Sequence, residues 1–275
     1  MERRLSPPIR LITGCSSGFG VEIALAFAAR GDVVFASMRN PADAPKALKN
    51  TSNIECLELD VTVSDQRAAA VGHVMRRAGR LDTLVNNAGI VATAAIEDTP
   101  DELSRRIFET NYFAPLALMR EVLPIMRGQG GGRIVNVTAV GAVIATPFLG
   151  IYCASKHALD CVSAALDIEG RPFGVRAPSV LPGQFRTPIM GKQAPIVSGS
   201  YRDIFDTLQA ARAARAEDVL DDFGTVAEAV IAAATDVEPM ARYIVGVGQL
   251  TEAVEPATAE LNRLHHFSAQ RCGVE

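Results

Sequence analysis

Along the chain, short runs of aliphatic and β-branched residues alternate with longer stretches in which apolar positions return every three or four residues. The short runs predict strands over 10–13, 33–37, 54–59, 81–86, 133–137, 175–181 and 243–247, and the longer stretches predict helices between them. Near-continuous apolar strands separated by helices belong to a parallel sheet covered on both faces. The fold class expected is therefore α/β, a doubly wound domain of seven parallel strands with helices on both faces. No internal repeat, low-complexity tract or linker divides the chain, and the glycines at 128 and 130–132 end a helix before a strand.

One helical stretch carries its own punctuation. In "TPDELSRRIFETNYFAPLALMREVLPIMR", Thr99 is expected to cap, with Pro100 in the first turn and Glu102 completing a capping box. Farther on, Pro115 has no N–H for the carbonyl of Asn111, so a kink is expected there, where an amide side chain and a spare acceptor meet.

Composition narrows the function. The 275 residues include 27 Lys plus Arg against 31 Asp plus Glu, a formal charge of −4 with no basic block. Neither nucleic acid nor an anionic membrane is indicated, and a small-molecule partner is expected. The first residues hold no signal-like apolar stretch, and no run approaches the roughly 20 apolar residues of a membrane span. Five cysteines, an odd number without metal-type spacing, suggest reduced thiols and a cytoplasmic protein. His265 and His266 read as a solvated helix end, and no metal is expected.

The candidate chemistry sits in two places. "LITGCSSGFG" puts Gly14, Gly18 and Gly20 between the first strand and a helix, where bare backbone and a helix N-terminus suit a pyrophosphate. A plain strand-to-helix turn is the alternative. "YCASK" places Tyr152 and Lys156 four apart, on one face of a helix, as a phenol acid and a neighbouring cation would stand.

Together with "NNAG" at 86–89, Asn111 and "PGQFRT" at 182–187, these motifs resemble the short-chain dehydrogenase/reductase family from about residue 9 to 187. "TGCSSGFG" and "YCASKHAL" are most similar to the 17β-hydroxysteroid and retinol dehydrogenase branch. The resemblance implies one Rossmann-type oxidoreductase domain over 1–275, a substrate-covering segment at 184–216 and a C-terminal extension at 250–275. It further implies that Gly14, Ser16, Ser17, Gly18, Phe19 and Gly20 hold a dinucleotide, that Asp60 and Val61 hold its adenine, and that Asn87, Ala88 and Gly89 support its ribose. Asp60 is equally readable as a strand-end cap. Pro182, Gly183 and Thr187 would face the nicotinamide. Tyr152 would be the acid/base, Lys156 would tune it and bond the nicotinamide ribose, and Asn111 would hold a water linking Lys156 to solvent.

Ser37 and Met38, at the tip of the second strand, are not acidic, and Arg39 follows, so NADP is expected over NAD. The family serine 13 residues before the tyrosine is replaced by Ala139, whose methyl group cannot bond a substrate oxygen; an introduced change and a natural one both fit. The hydroxyl of Thr138 should point the other way, because successive strand residues alternate. Phe185 and the apolar residues of the covering segment suggest a bulky hydrophobic alcohol or ketone, by branch resemblance a steroid. A ketoacyl-type reductase and a non-catalytic NADP sensor are the alternatives. Apolar and small residues spread around the helix from Tyr152 to Gly170 suggest a homodimer or homotetramer.

Overall fold

The computed structural model describes residues 6–189, 194–214, 222–246 and 249–274. Its sheet is built from β1 (Ile9–Thr13), β2 (Val33–Met38), β3 (Ile54–Glu58), β4 (Thr83–Asn86), β5 (Gly132–Val137), β6 (Val175–Arg176), β7 (Ser179–Pro182) and β8 (Arg242–Val245). All ladders are parallel, in the order β3-β2-β1-β4-β5-β7-β8, with β6 also against β5. The expected seventh end-point, Val247, lies outside the described residues.

The run 175–181 is expected as one strand and is found as two. Arg133 pairs Arg176 and Asn136 pairs Ser179, so β6 and β7 keep one register with β5. Between them Pro178 has no N–H to give, and the Ala177 N–H is drawn to Asp167 Oδ1 at 2.8 Å. A side chain thus takes the donor that the ladder would have used.

Helices α1 (Phe19–Ala29) and α8 (Gly224–Thr235) cover one face of the sheet, where Ile23, Phe27, Val226 and Val230 pack against Ile12, Val34 and Val180. The other face carries α3 (Ser64–Ala78), α5 (Ala114–Gly128) and α6 (Gly150–Gly170), with Val74, Leu118 and Leu159 against Leu11, Leu84 and Ile134. The short α2 (Lys46–Lys49) lies between β2 and β3.

Helix α4 (Asp101–Phe108) opens without the expected capping box: Thr99 Oγ1 turns back to the Ala95 carbonyl at 2.7 Å, and Pro100 occupies the cap position without a side-chain bond. The expected kink is a π-helical turn, Glu109–Phe113, closed by the Ala114 N–H on the Glu109 carbonyl and followed directly by Pro115 in α5. Widening the helix here suits a residue that cannot donate.

Two later helices complete the chain. Helix α7 (Arg202–Ala213) belongs to the covering segment, and α9 (Gln249–Arg271) lies on α6 and β8. The inner face of α9 carries Thr251, Val254, Thr258, His265 and Ala269. His265 is therefore not the solvated residue expected: it is 8% exposed and bonds Asp167 Oδ2 at 2.9 Å, whereas His266 is exposed.

Candidate active site

The turn after β1 and the loop after β4 meet where the strand order reverses, the usual crevice of a doubly wound sheet. Thr13, buried at the end of β1, joins them. Its Oγ1 accepts the backbone N–H groups of Asn87 and Ala88, each at 3.0 Å, while the Asn87 amide donates to the carbonyls of Thr13 at 2.9 Å and Gly14 at 3.2 Å. No motif singled out Thr13; a buried threonine ending the strand before the glycine turn was its only signal.

Glycine is required in this crevice by close approach. Gly14 has φ +76°, and a β-carbon there would lie 2.8 Å from Ala88 Cα; one on Gly20 would collide with the Gly14 carbonyl. Helix α1 starts with no side-chain cap on its N–H groups. Bare backbone and uncapped donors fit a dinucleotide pyrophosphate. Ser16 is exposed and Ser17 and Gly18 half-buried around this turn. A β-carbon on Gly18 would come within 3.7 Å of Pro188 Cδ, so the loop carrying Thr187 reaches the same turn.

Phe19 and Phe185 depart from expectation together. Their rings stand edge-on at 5.2 Å, Phe223 joins Phe19 at 5.4 Å, and Phe185 is only 7% exposed. Phe185 thus packs inside an aromatic cluster with Phe19 and Phe223. Edge-to-face pairs at these distances have the geometry that aromatic rings prefer.

At the adenine end, Ser37 is fully buried with its Oγ on the Ile12 carbonyl, Met38 is buried, and Arg39 is exposed just beyond β2. Asp60 Oδ1 accepts from the Thr62 N–H at 2.9 Å and Thr62 Oγ1 at 2.7 Å, which realises the cap reading. Val61 is buried beside it, its carbonyl bonded by Arg67. Pro182 is buried at the end of β7. The Gly183 N–H donates to the Val245 carbonyl at 2.7 Å, and Thr251 of α9 presses close enough that a β-carbon on Gly183 would lie 2.5 Å from its hydroxyl.

On α6, Lys156 is buried and donates to the Val137 carbonyl at 2.9 Å, with its Nζ 5.9 Å from the Tyr152 ring centroid. Burial lowers the Lys156 ammonium to about 8 and pushes the Tyr152 phenol well above its ordinary range, the latter with a smaller contribution from Cys153. Gly89 lies over the group: a β-carbon there would be 3.3 Å from Asn111 Oδ1 and 3.6 Å from Lys156 Nζ.

The Asn111 amide is bonded through both its oxygen and its nitrogen. Its Oδ1 accepts the Ile90 N–H and its Nδ2 donates to the Ile90 carbonyl, both at 2.9 Å, and to Ser155 Oγ at 3.0 Å. The side chain is thus held by Ile90 and Ser155, and the backbone carbonyl of Asn111 is the one that Pro115 has no N–H to bond. Ser155, buried and donating to the Tyr152 carbonyl at 2.7 Å, ties Asn111 to α6 and has no signal of its own inside "YCASK".

Ala139 is buried in the chain leaving β5. Its methyl carbon and Tyr152 Cε1 lie 4.0 and 3.8 Å from the place a β-carbon on Gly141 would take, so the two flank Gly141. Thr138 Oγ1 donates to the Val180 carbonyl at 3.1 Å and points away from that side, as alternation predicts. The covering segment is fastened to the loop after β4 by the Ala94–Ile196 bridge, Tyr201 Oη on Glu97 at 2.5 Å and the Ser198 N–H on Asp98 at 2.6 Å.

Three comparisons bear on this arrangement. A protein from Bacteroides thetaiotaomicron described as 3-ketodihydrosphingosine reductase is 36% identical over 183 residues, 66% of each chain. The NADPH-dependent 3-dehydrocapnine reductase of Ornithobacterium rhinotracheale is 31% identical over 255 residues, covering 87% of this chain and 88% of that one. The crystal structure of a short-chain dehydrogenase from Streptomyces avermitilis superposes with a TM-score of 0.79 at 32% identity, over 97% of this chain and 99% of that one. The family model described as short chain dehydrogenase matches residues 9–196. A parallel doubly wound sheet, a glycine cradle at its switch point and a tyrosine–lysine pair on one helix face agree with that match: the chain belongs to the short-chain dehydrogenase family, and is an oxidoreductase of that type.

Proposed function

We propose that this protein is an NADP-dependent reductase that converts a ketone on a large apolar substrate to the alcohol. The observation that carries the reading is the Tyr152–Lys156 pair on one face of α6: a half-buried phenol beside a buried ammonium is placed to give a proton to a carbonyl oxygen. The names of the two reductases compared above support the same direction.

When bound, the nicotinamide cofactor supplies the hydride. Gly14, Ser16, Ser17, Gly18 and Gly20 would hold its pyrophosphate, Asp60, Val61, Asn87, Ala88 and Gly89 the adenosine half, and Pro182, Gly183 and Thr187 the nicotinamide. Exposed Arg39, with no acid at the tip of β2, favours the 2′-phosphate. Tyr152 would donate its proton to the substrate oxygen. Lys156, held to Val137, would keep a positive charge beside the phenol as it gives up that proton, and the Asn111 carbonyl would lead to solvent. Ala139 leaves the substrate oxygen without a second donor, so turnover is weakened and orientation rests on apolar contacts.

Ala139→Ser tests the reading. One preorganised donor at a reacting oxygen is worth about 10²- to 10³-fold, and kcat/KM for ketone reduction with NADPH should rise by that factor while NADPH affinity stays the same. A panel containing a steroid ketone, a β-ketoacyl ester and a simple ketone assigns the class. If the serine variant binds NADPH and reduces none of them, the reading fails in favour of the sensor, the role that the missing hydroxyl favours. We also propose a homo-oligomer, because Ala154, Cys161 and Ala165 form an exposed small-residue stripe on α6 and Phe113 is 50% exposed. A monomeric mass by light scattering would overturn it.

A further inference from the structure

The covering segment leaves a groove of about 450 Å³ between the chain just before α6 and one face of α7. That volume falls among small-molecule clefts. Pro147 and Phe148 form one side; Ile204, Thr207, Leu208 and Ala211 form the other, and Asp203 is the one charged residue of the lining. Positions 204, 208 and 211 follow a single helical stripe, so the wall is a track about 10 Å long at 1.5 Å per residue. Ile204 is 61% exposed, a large apolar side chain standing open along this track.

Phe148 makes the floor. It is buried, stacked edge-on against Phe205 at 5.1 Å, and holds φ +62°, a backbone conformation that a bulky side chain seldom adopts. Its carbonyl takes the Ala94 N–H at 2.9 Å, and the next residue, Leu149, accepts the Cys153 N–H at 2.8 Å. Floor and proton donor are therefore linked by a single turn of chain. Strained residues of this kind persist where the surroundings over-determine them, often beside a ligand.

We infer that this groove receives a flexible aliphatic tail of the ketone, lying along α7, so that the substrate is open-chain rather than fused-ring. The inference rests on the reading of the chain as a ketone reductase. An elongated track walled by one helix stripe matches an unbranched chain, which can bend to follow it; a rigid ring system cannot bend to do so. The lining also argues against an anionic carrier at this place, because its one charge is acidic. Arg202 does not offset it, since its guanidinium lies 5.9 Å over the Phe205 ring and donates to the Val197 carbonyl.

The test is a series of unbranched methyl ketones of increasing length, reduced with NADPH by the full chain and by its Ala139→Ser form. Removing a methylene from water is worth about two- to fourfold in affinity, so kcat/KM should climb by that factor per added carbon until the track is filled. Ile204→Glu and Ala211→Glu, both on exposed positions of α7, should flatten the climb and leave the shortest ketone unchanged. A flat profile with the short ketone still reduced overturns the groove and leaves the reductase reading intact. If no ketone is reduced, that reading fails, and calorimetric binding of a long-chain ketone to the NADP-loaded protein decides the groove: binding lost in Ile204→Glu supports it, and no binding overturns it.

Discussion

The inner face of α6 carries Lys156, Asp160, Ser163 and Asp167 at helical spacing, one turn beyond half-buried Tyr152, and its two ends treat buried charge in opposite ways. Lys156, near the start, has one hydrogen-bond acceptor, the Val137 carbonyl, and burial moves it towards neutrality. Asp167, near the end, receives the Arg176 guanidinium on both oxygens, the Ala177 N–H on Oδ1, and His265 and Arg171 on Oδ2. These donors hold its carboxyl well below the usual range despite burial. Between them, Asp160 pairs with Arg242 at 2.8 Å through one oxygen only. Equal burial therefore gives unlike groups: few partners leave a charge poised to change, and many partners fix it.

Removing the Tyr152 hydroxyl should break the poised end outright. Tyr152→Phe is expected to lower kcat by about 10³-fold or more, within the range of general acid catalysis, while NADPH affinity and thermal unfolding stay near those of the parent. Single-turnover absorbance of the reduced cofactor measures it. A variant that keeps a tenth of the parental rate would place the proton donor elsewhere.

The fixed end should answer in stability. Asp167→Asn leaves Arg176 short of its counter-ion and is expected to cost about 3–5 kcal/mol in urea unfolding. The sign with pH follows from a depressed carboxyl: its contribution is whole above about pH 4, the ordinary aspartate range, and is lost as pH falls below it. Wild type should therefore lose stability in acid more steeply than Asp167→Asn does.

Lys156→Met sharpens the contrast by having the opposite sign. An amine lowered to about 8 makes the folded state shed its proton before the unfolded chain does, so the burial cost is full below pH 8 and eases as pH rises towards 10.5. The methionine variant should thus be about 1–2 kcal/mol more stable at pH 7 and nearly inactive. In the parent, kcat/KM for reduction should fall as pH rises through about 8.

The difference between the two ends also explains what the sequence revealed. Tyr152 and Lys156 were legible because their chemistry repeats at fixed spacing, and Gly14, Gly20 and Gly89 because bare backbone leaves a mark in the letters. The strand pattern was legible for the same local reason. Asp167 and His265 lie 98 positions apart and share no motif, so only tertiary packing joins them. Thr99 misled because a hydroxyl can serve the turn behind it as well as the helix ahead. The packing of Phe185 was not legible because its partner Phe19 belongs to another element, and Ser155 was overlooked because its amide partner, Asn111, lies in the turn before α5.

The π-helical turn at Glu109–Phe113 sets a count. Its wider ring holds one residue more than an α-turn would, so deleting any single residue there would leave an unbroken α-helix by circular dichroism. The two halves of that helix would keep their faces, because the wide turn had absorbed the extra residue, but the residues of the turn itself would be re-registered by up to one position, about 100° of helix rotation. Leu103 and Ile107 would stay packed with Ala92 and Ile151, while Asn111, inside the turn, would be carried away from Ile90. Length in this stretch is thus held as tightly as residue identity, and a change that no composition or helix-propensity scale would register should uncouple the site from its support.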